Sequence, residues 1–164
     1  MPDLTRPRYN ATVVTTRFEI AGQIEPIGPW LDFLNSRDKH GLPVYNAHLM
    51  PIGAVAPATE RPVVYVNLAD ICLIHLPDRA SHETVHMFKN VQTAISHIGP
   101  VICRGECHTV VEVALATYID NLPGNFFPIT NVDIHATVAL PTPLPARADL
   151  ILVNRLHVAV YHPA

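Results

Sequence analysis

Val63-Val64-Tyr65-Val66-Asn67-Leu68-Ala69-Asp70-Ile71-Cys72-Leu73-Ile74-His75 is followed much later by Leu150-Ile151-Leu152-Val153-Asn154-Arg155-Leu156-His157-Val158-Ala159-Val160-Tyr161-His162. The two runs lie over one another at a constant offset, 154 − 67 = 87 and 162 − 75 = 87. Both are rich in β-branched and aromatic residues and both are bounded by proline, so each reads as strand, bent near its Asn. A shared order at a fixed offset marks an internal duplication, and the rest of the chain divides accordingly.

Working outward, Phe18-Glu19-Ile20-Ala21-Gly22-Gln23-Ile24 lies over Val101-Ile102-Cys103-Arg104-Gly105-Glu106-Cys107, with 105 − 22 = 83. Four extra residues in the middle loop of the second copy would reconcile the two offsets. Each of these strands follows an earlier one, 11–15 or 90–97, across the tight connections Thr16-Arg17 and Ile98-Gly99-Pro100, which is a hairpin signal. Glycine at the same place in both copies predicts a bulge or a sharp bend. Short helices are expected over 28–35 and 111–121, with Pro29 suited to a first turn. Leu42-Pro43-Val44 and Phe127-Pro128-Ile129-Thr130 then open further strands, running through His48 and His135, which the offset of 87 also pairs. The Pro-rich 141–145 stretch reads as a stiff hairpin loop. The expected architecture is mostly β, bordering on α+β. It consists of two tandem homologous small-barrel-like subdomains, 8–80 and 81–164, each strand–strand–helix–strand–strand, with 81–89 as linker.

Thr16-Arg17-Phe18-Glu19-Ile20-Ala21-Gly22, Trp30-Leu31-Asp32-Phe33-Leu34-Asn35, Leu42-Pro43-Val44-Tyr45-Asn46-Ala47 and Val64-Tyr65-Val66-Asn67 together resemble an uncharacterised bacterial domain family. That family carries a Leu-Ser-Asp-x-Leu-Asn helix between a Gly-containing hairpin and a final strand pair. Here the helix reads Leu31-Asp32-Phe33-Leu34-Asn35 without the Ser. In the second copy Phe127-Pro128-Ile129-Thr130-Asn131-Val132 is similar to the family's Phe-x-Pro-x-Thr-x-Ala segment, while the helix motif has drifted to Tyr118-Ile119-Asp120-Asn121. The resemblance covers about 13–75 and 90–162 and implies a fold, with no activity or catalytic residue attached. The opening hairpin and closing strand also look similar to Sm-like small barrels, which implies architecture only.

Composition narrows the function classes. Across 164 residues, 49% are hydrophobic and 15% charged, enough apolar material for a packed core. The net charge of −3 offers no basic field, so neither a nucleic acid nor an anionic membrane is expected as partner. Residues 1–7 lack the apolar segment of a secretory signal, and no uncharged run approaches a bilayer span. Three cysteines fit reduced thiols better than a disulfide framework, and a cytoplasmic location is expected.

Three constellations could carry chemistry. His82-Glu83-Thr84-Val85-His86 matches H-E-x-x-H, in which a helix places two imidazoles on one face for Zn²⁺ and the Glu polarises a water. Glu106, 24 residues after His82, could supply a third ligand. The simpler reading is a short solvated linker turn. Cys103-Arg104-Gly105-Glu106-Cys107-His108 loosely resembles the haem attachment C-x-x-C-H with one residue too many. Strand periodicity puts both thiols on the core face and His108 on the other, so buried free cysteines are expected. Lastly, His48/His135, Asn67/Asn154 and His75/His162 form a duplicated set, either two pseudo-symmetric sites or residues that the fold requires.

The favoured reading is a non-enzymatic binding or assembly module, without cofactor, that forms a homo-oligomer or meets a protein partner. The alternative is a zinc-dependent hydrolase using His82, His86 and Glu106, with Glu83 as general base.

Overall fold

A computed structural model describes residues 5–54 and 56–164. The first half runs β1 (Tyr9–Thr15), β2 (Phe18–Ile24), α1 (Trp30–Leu34), β3 (Gly41–Pro51) and β4 (Thr59–Asn67). A 3-10 turn (Leu68–Asp70) then leads into β5 (Ile71–His75). After α2 (Arg79–His82) the same order returns as β6 (Asn90–Ile98), β7 (Val101–Thr109), α3 (Leu115–Asp120), β8 (Phe126–Ala136) and β9 (Arg147–Asn154). A second 3-10 turn (Arg155–His157) and β10 (Val158–Pro163) complete it. The protein is mostly β. All ten strands join one antiparallel sheet in the order β10-β6-β7-β8-β9-β5-β1-β2-β3-β4. None of the helices described is long and apolar enough to cross a membrane.

The bend expected near each Asn is that 3-10 turn, so every half has five strands where four were expected. Asn67 Oδ1 accepts from Ala69 N at 3.2 Å, and Asn154 Oδ1 accepts from Leu156 N at 3.0 Å. Each side chain thus stands in for a missing backbone acceptor and turns the chain sharply. The broken strand re-enters the sheet on the far side: β5 pairs β1, and β10 pairs β6.

The hairpins fall where expected. In the first, Thr15 Oγ1 accepts from Phe18 N at 2.8 Å and Arg17 N at 3.2 Å, which satisfies the tight turn from within. The glycine bends are also present. Register shifts between Ala21 and Gln23 against β3, and between Arg104 and Glu106 against β8. A Cβ on Gly22 would lie 2.6 Å from Tyr45 O, and one on Gly105 would lie 2.5 Å from Ile129 Cγ2. Opposite each glycine an Asn takes a positive φ, Asn46 at 49° and Asn131 at 50°.

These matched Asn residues correct two expectations. Their offset is 131 − 46 = 85, so the four extra residues are not in one loop. Two enter between β7 and β8, and two more between β8 and β9. The pairings His48↔Glu60 and Asp133↔Arg147 then make Asp133, not His135, the counterpart of His48; His135 corresponds to Met50. Each position sets a basic side chain against an acidic one with the strands exchanged, His48–Glu60 at 3.3 Å and Asp133–Arg147 at 4.0 Å. His75 and His162 do correspond, facing Thr12 and Ile95. The second helix is shorter than expected because residues 110–112 are bends rather than helix.

Two apolar clusters fill the molecule, and neither belongs wholly to one half. The first holds Trp30, Phe33, Leu42, Val44 and Ile74, and takes Leu150 and Leu152 from β9. The second holds Cys103, Cys107, Ile129 and Val132, and takes Val14, Cys72 and Leu73 from the first half. The halves exchange core side chains across β5 and β9, so each needs the other to bury its apolar face.

Candidate functional site

The H-E-x-x-H residues do not share a helix. α2 ends at His82, and Glu83 already caps it. The His82 Nε2 lies 2.7 Å from Leu76 O, Val85 is buried, and His86 is exposed beyond the helix. Glu106 is committed elsewhere, accepting from Asn131 Nδ2 at 2.8 Å. Among the described residues no group of three His, Cys, Asp or Glu side chains is placed to hold a metal ion. Nearby His75 is held below its ordinary value of 6.5 by burial and, secondly, by His82.

Cys103 and Cys107 sit on the core face of β7, each about 1% exposed, as the alternation requires. Burial pushes their thiols up to about 12 and about 11, so both stay protonated and unreactive. Cys72 is pushed up to about 11 by burial and then by Asp70. His108 points to the other face. Its Nδ1 donates to Phe88 O at 3.0 Å, since a carbonyl can only accept, and its Nε2 lies 2.6 Å from Thr130 Oγ1. That ring ties the linker to the sheet.

Two surfaces remain. The first is an apolar cleft of about 790 Å³, bordered by Leu31 of α1, Met87 and Phe88 of the linker, Val111, and Tyr118 of α3. The second is the seam between the halves together with its unpaired counterparts. In the seam, β5 and β9 pair as Leu73↔Val153, Ile74↔Leu152 and His75↔Ile151. Leu73, Ile74, Leu152 and Val153 are fully buried. Asn154 caps the join: its amide donates to Ile71 O at 2.9 Å and Leu68 O at 3.3 Å, both in the other half. His157 Nε2 adds a contact of 2.6 Å to Ala69 O.

The counterparts of these two strands are the ends of the sheet. Among the described residues β4 pairs only with β3, and β10 only with β6. Val66 is buried, and Val64 and Tyr161 pack against the cores, but other side chains of these strands stand in water where their seam counterparts are buried. Tyr65, the counterpart of Leu152, is 74% exposed, and Val160, the counterpart of Leu73, is 54% exposed. Asn67 keeps the cap of its own turn, but its amide finds no partner among the described residues. The duplicated Asn pair was legible in the sequence; the different employment of its two members was not. Periodicity does not separate seam from edge: Ile71–Ile74 and Leu150–Val153 are unbroken apolar runs, and so are their counterparts at 158–161 and 63–66.

Comparison of the chain with known protein families, with curated proteins and with solved structures finds no match.

Proposed function

We propose that the protein is a non-enzymatic assembly module that associates with further copies of itself through the ends of its sheet. One observation carries this reading: among the described residues both terminal strands are unpaired along their outer edge, and they expose apolar side chains such as Tyr65 and Val160. An open edge is a row of free N–H and C=O groups that templates another strand, and monomeric proteins blunt it with charge, proline or a bulge. Such guards lie in the outer part of β4, at Glu60, Arg61 and Pro62, and at the two ends of β10, in the irregularity between Val158 and Val160 and at Pro163. Val63 to Asn67 carry none. The exposed leucine of the second 3-10 turn, Leu156 at 61%, extends the apolar surface beside β10. The modest charge of −3 leaves little long-range repulsion between copies.

The test is light scattering on a size-exclusion column, over a wide range of protein concentration. The reading expects a mass that is a multiple of 18.1 kDa and that falls on dilution or is held at a fixed oligomer. A single-chain mass at every concentration refutes it.

A further inference from the structure

We infer that copies of this chain join head to tail, β10 of one chain pairing with β4 of the next in the register that β5 and β9 already use inside the chain. The inference rests on self-association through the sheet ends and adds to it a direction, a register and a residue that clasps the joint. Shifting the seam by the repeat offset gives 73 + 87 = 160 against 153 − 87 = 66, hence Val160↔Val66, Tyr161↔Tyr65 and His162↔Val64.

Four observations support this occupant over any other. The two free edges are the counterparts of the two seam strands, so the chain already contains one solved instance of the joint. The exposed side chains fall at the positions that are buried in that instance. Tyr65 stands where Leu152 enters the neighbouring core, and Val160 where Leu73 does. Tyr161 already packs against the second cluster, so Tyr65 placed opposite it makes an aromatic cross-strand pair over that core. Pro62, which could not donate to a ladder, corresponds to Asp149 and lies outside the three paired positions.

Asn67 supplies the clasp. In the seam the Asn154 amide donates to the carbonyls of Leu68 and Ile71. The same shift brings the idle amide of Asn67 to the carbonyls of Arg155 and Val158 in the next copy. One seam contact is not repeated. Asp70 occupies the place of His157 and has no N–H to offer the carbonyl of Leu156. The joint between chains is therefore weaker than the seam within one and is reversible. Because the two surfaces differ, the contact is heterologous, and copies either close into a ring or extend as a filament.

Disulfide trapping tests the direction and register. The single variants Val64→Cys and His162→Cys are oxidised with copper phenanthroline, alone and as an equimolar mixture; the three native thiols are buried. The inference expects a covalent dimer in the mixture and none in either variant alone. Dimers in a single variant mean that like edges meet, and overturn it. An oligomer by light scattering with no cross-link in the mixture overturns the register while leaving self-association standing. A chain that stays single throughout removes both. Asn67→Asp then tests the clasp, since it keeps the turn-capping oxygen and replaces the donor with a carboxylate facing two carbonyls. It should raise the dissociation constant about tenfold or more with the single-chain melting temperature nearly unchanged. An unchanged dissociation constant overturns the assignment of Asn67.

Discussion

Asn154→Ala should destabilise the single chain far more than Asn67→Ala, although the two residues occupy the same place in the two halves. Asn154 is 1% exposed, so no bulk water can replace its partners. The alanine deletes the amide at 2.9 Å from Ile71 O and 3.3 Å from Leu68 O, and the oxygen that accepts from Leu156 N. A buried polar group left without its bond costs about 1–3 kcal/mol, and a lost cap about 1 kcal/mol. Counting the longer bond to Leu68 as partial, the loss is about 3 kcal/mol. In a chain of this size that lowers the melting temperature by about 6–12 °C. Asn67 is exposed and among the described residues makes only the capping bond, so its replacement should cost no more than about 1 kcal/mol. Urea unfolding of dilute protein, followed by the fluorescence of the single, fully buried Trp30, measures both variants with one probe. Equal losses in the two variants would show that the Asn154 amide does not hold the halves together, and the argument built on the seam would fall.

Gly22→Ala should lower stability by about 1–3 kcal/mol, because its Cβ would press on the Tyr45 carbonyl in the bulge; urea midpoints of parent and variant check this. Glu19 is buried, and burial holds its carboxyl above the ordinary 4.5, partly offset by the Thr142 N–H. The folded state therefore binds that proton more tightly than the unfolded chain does. The resulting stability is complete below pH 4.5 and is lost as the pH rises through the folded value. Glu19→Gln removes this loss, so the variant should gain on the parent between acid and neutral pH in urea titrations. A constant difference would show that Glu19 is not the titrating group. The three thiols should resist Ellman's reagent in the native state at mild alkaline pH and react fully in denaturant; a rapid native reaction would contradict their burial. Zinc content of untagged protein should be the same in the parent and in His82→Ala, whose ring is bonded to Leu76 O. Zinc lost with that change would revive the hydrolase reading.

The sequence reading went furthest where local chemistry decides the outcome. The Thr15 to Phe18 turn, the glycine bulges and the short helix after Pro29 need only neighbours along the chain or on the adjacent strand. It went astray where loop length is hidden. One offset carried from β4 back to β3 paired His48 with His135, whereas the ladders pair His48 with Glu60 and Asp133 with Arg147. Insertions in exposed loops cost little free energy, so nothing in the flanking strands records them. The metal motif failed to assemble for a related reason. Spacing places two histidines together only if the helix continues, and α2 ends at His82.

By itself the sequence determined that the chain is mostly β and that its two halves carry the same elements in the same order. Hydrophobic periodicity and turn residues act locally and survive divergence between copies. Only the tertiary structure decided that one half's last strand pairs with the other's fourth, which makes a single sheet and leaves Tyr65 and Val160 at its open ends. Strands β5 and β10 carry closely similar patterns, as do β4 and β9. What separates a buried strand from an exposed edge is which neighbour the covalent chain holds within reach, and that is a property of the whole molecule.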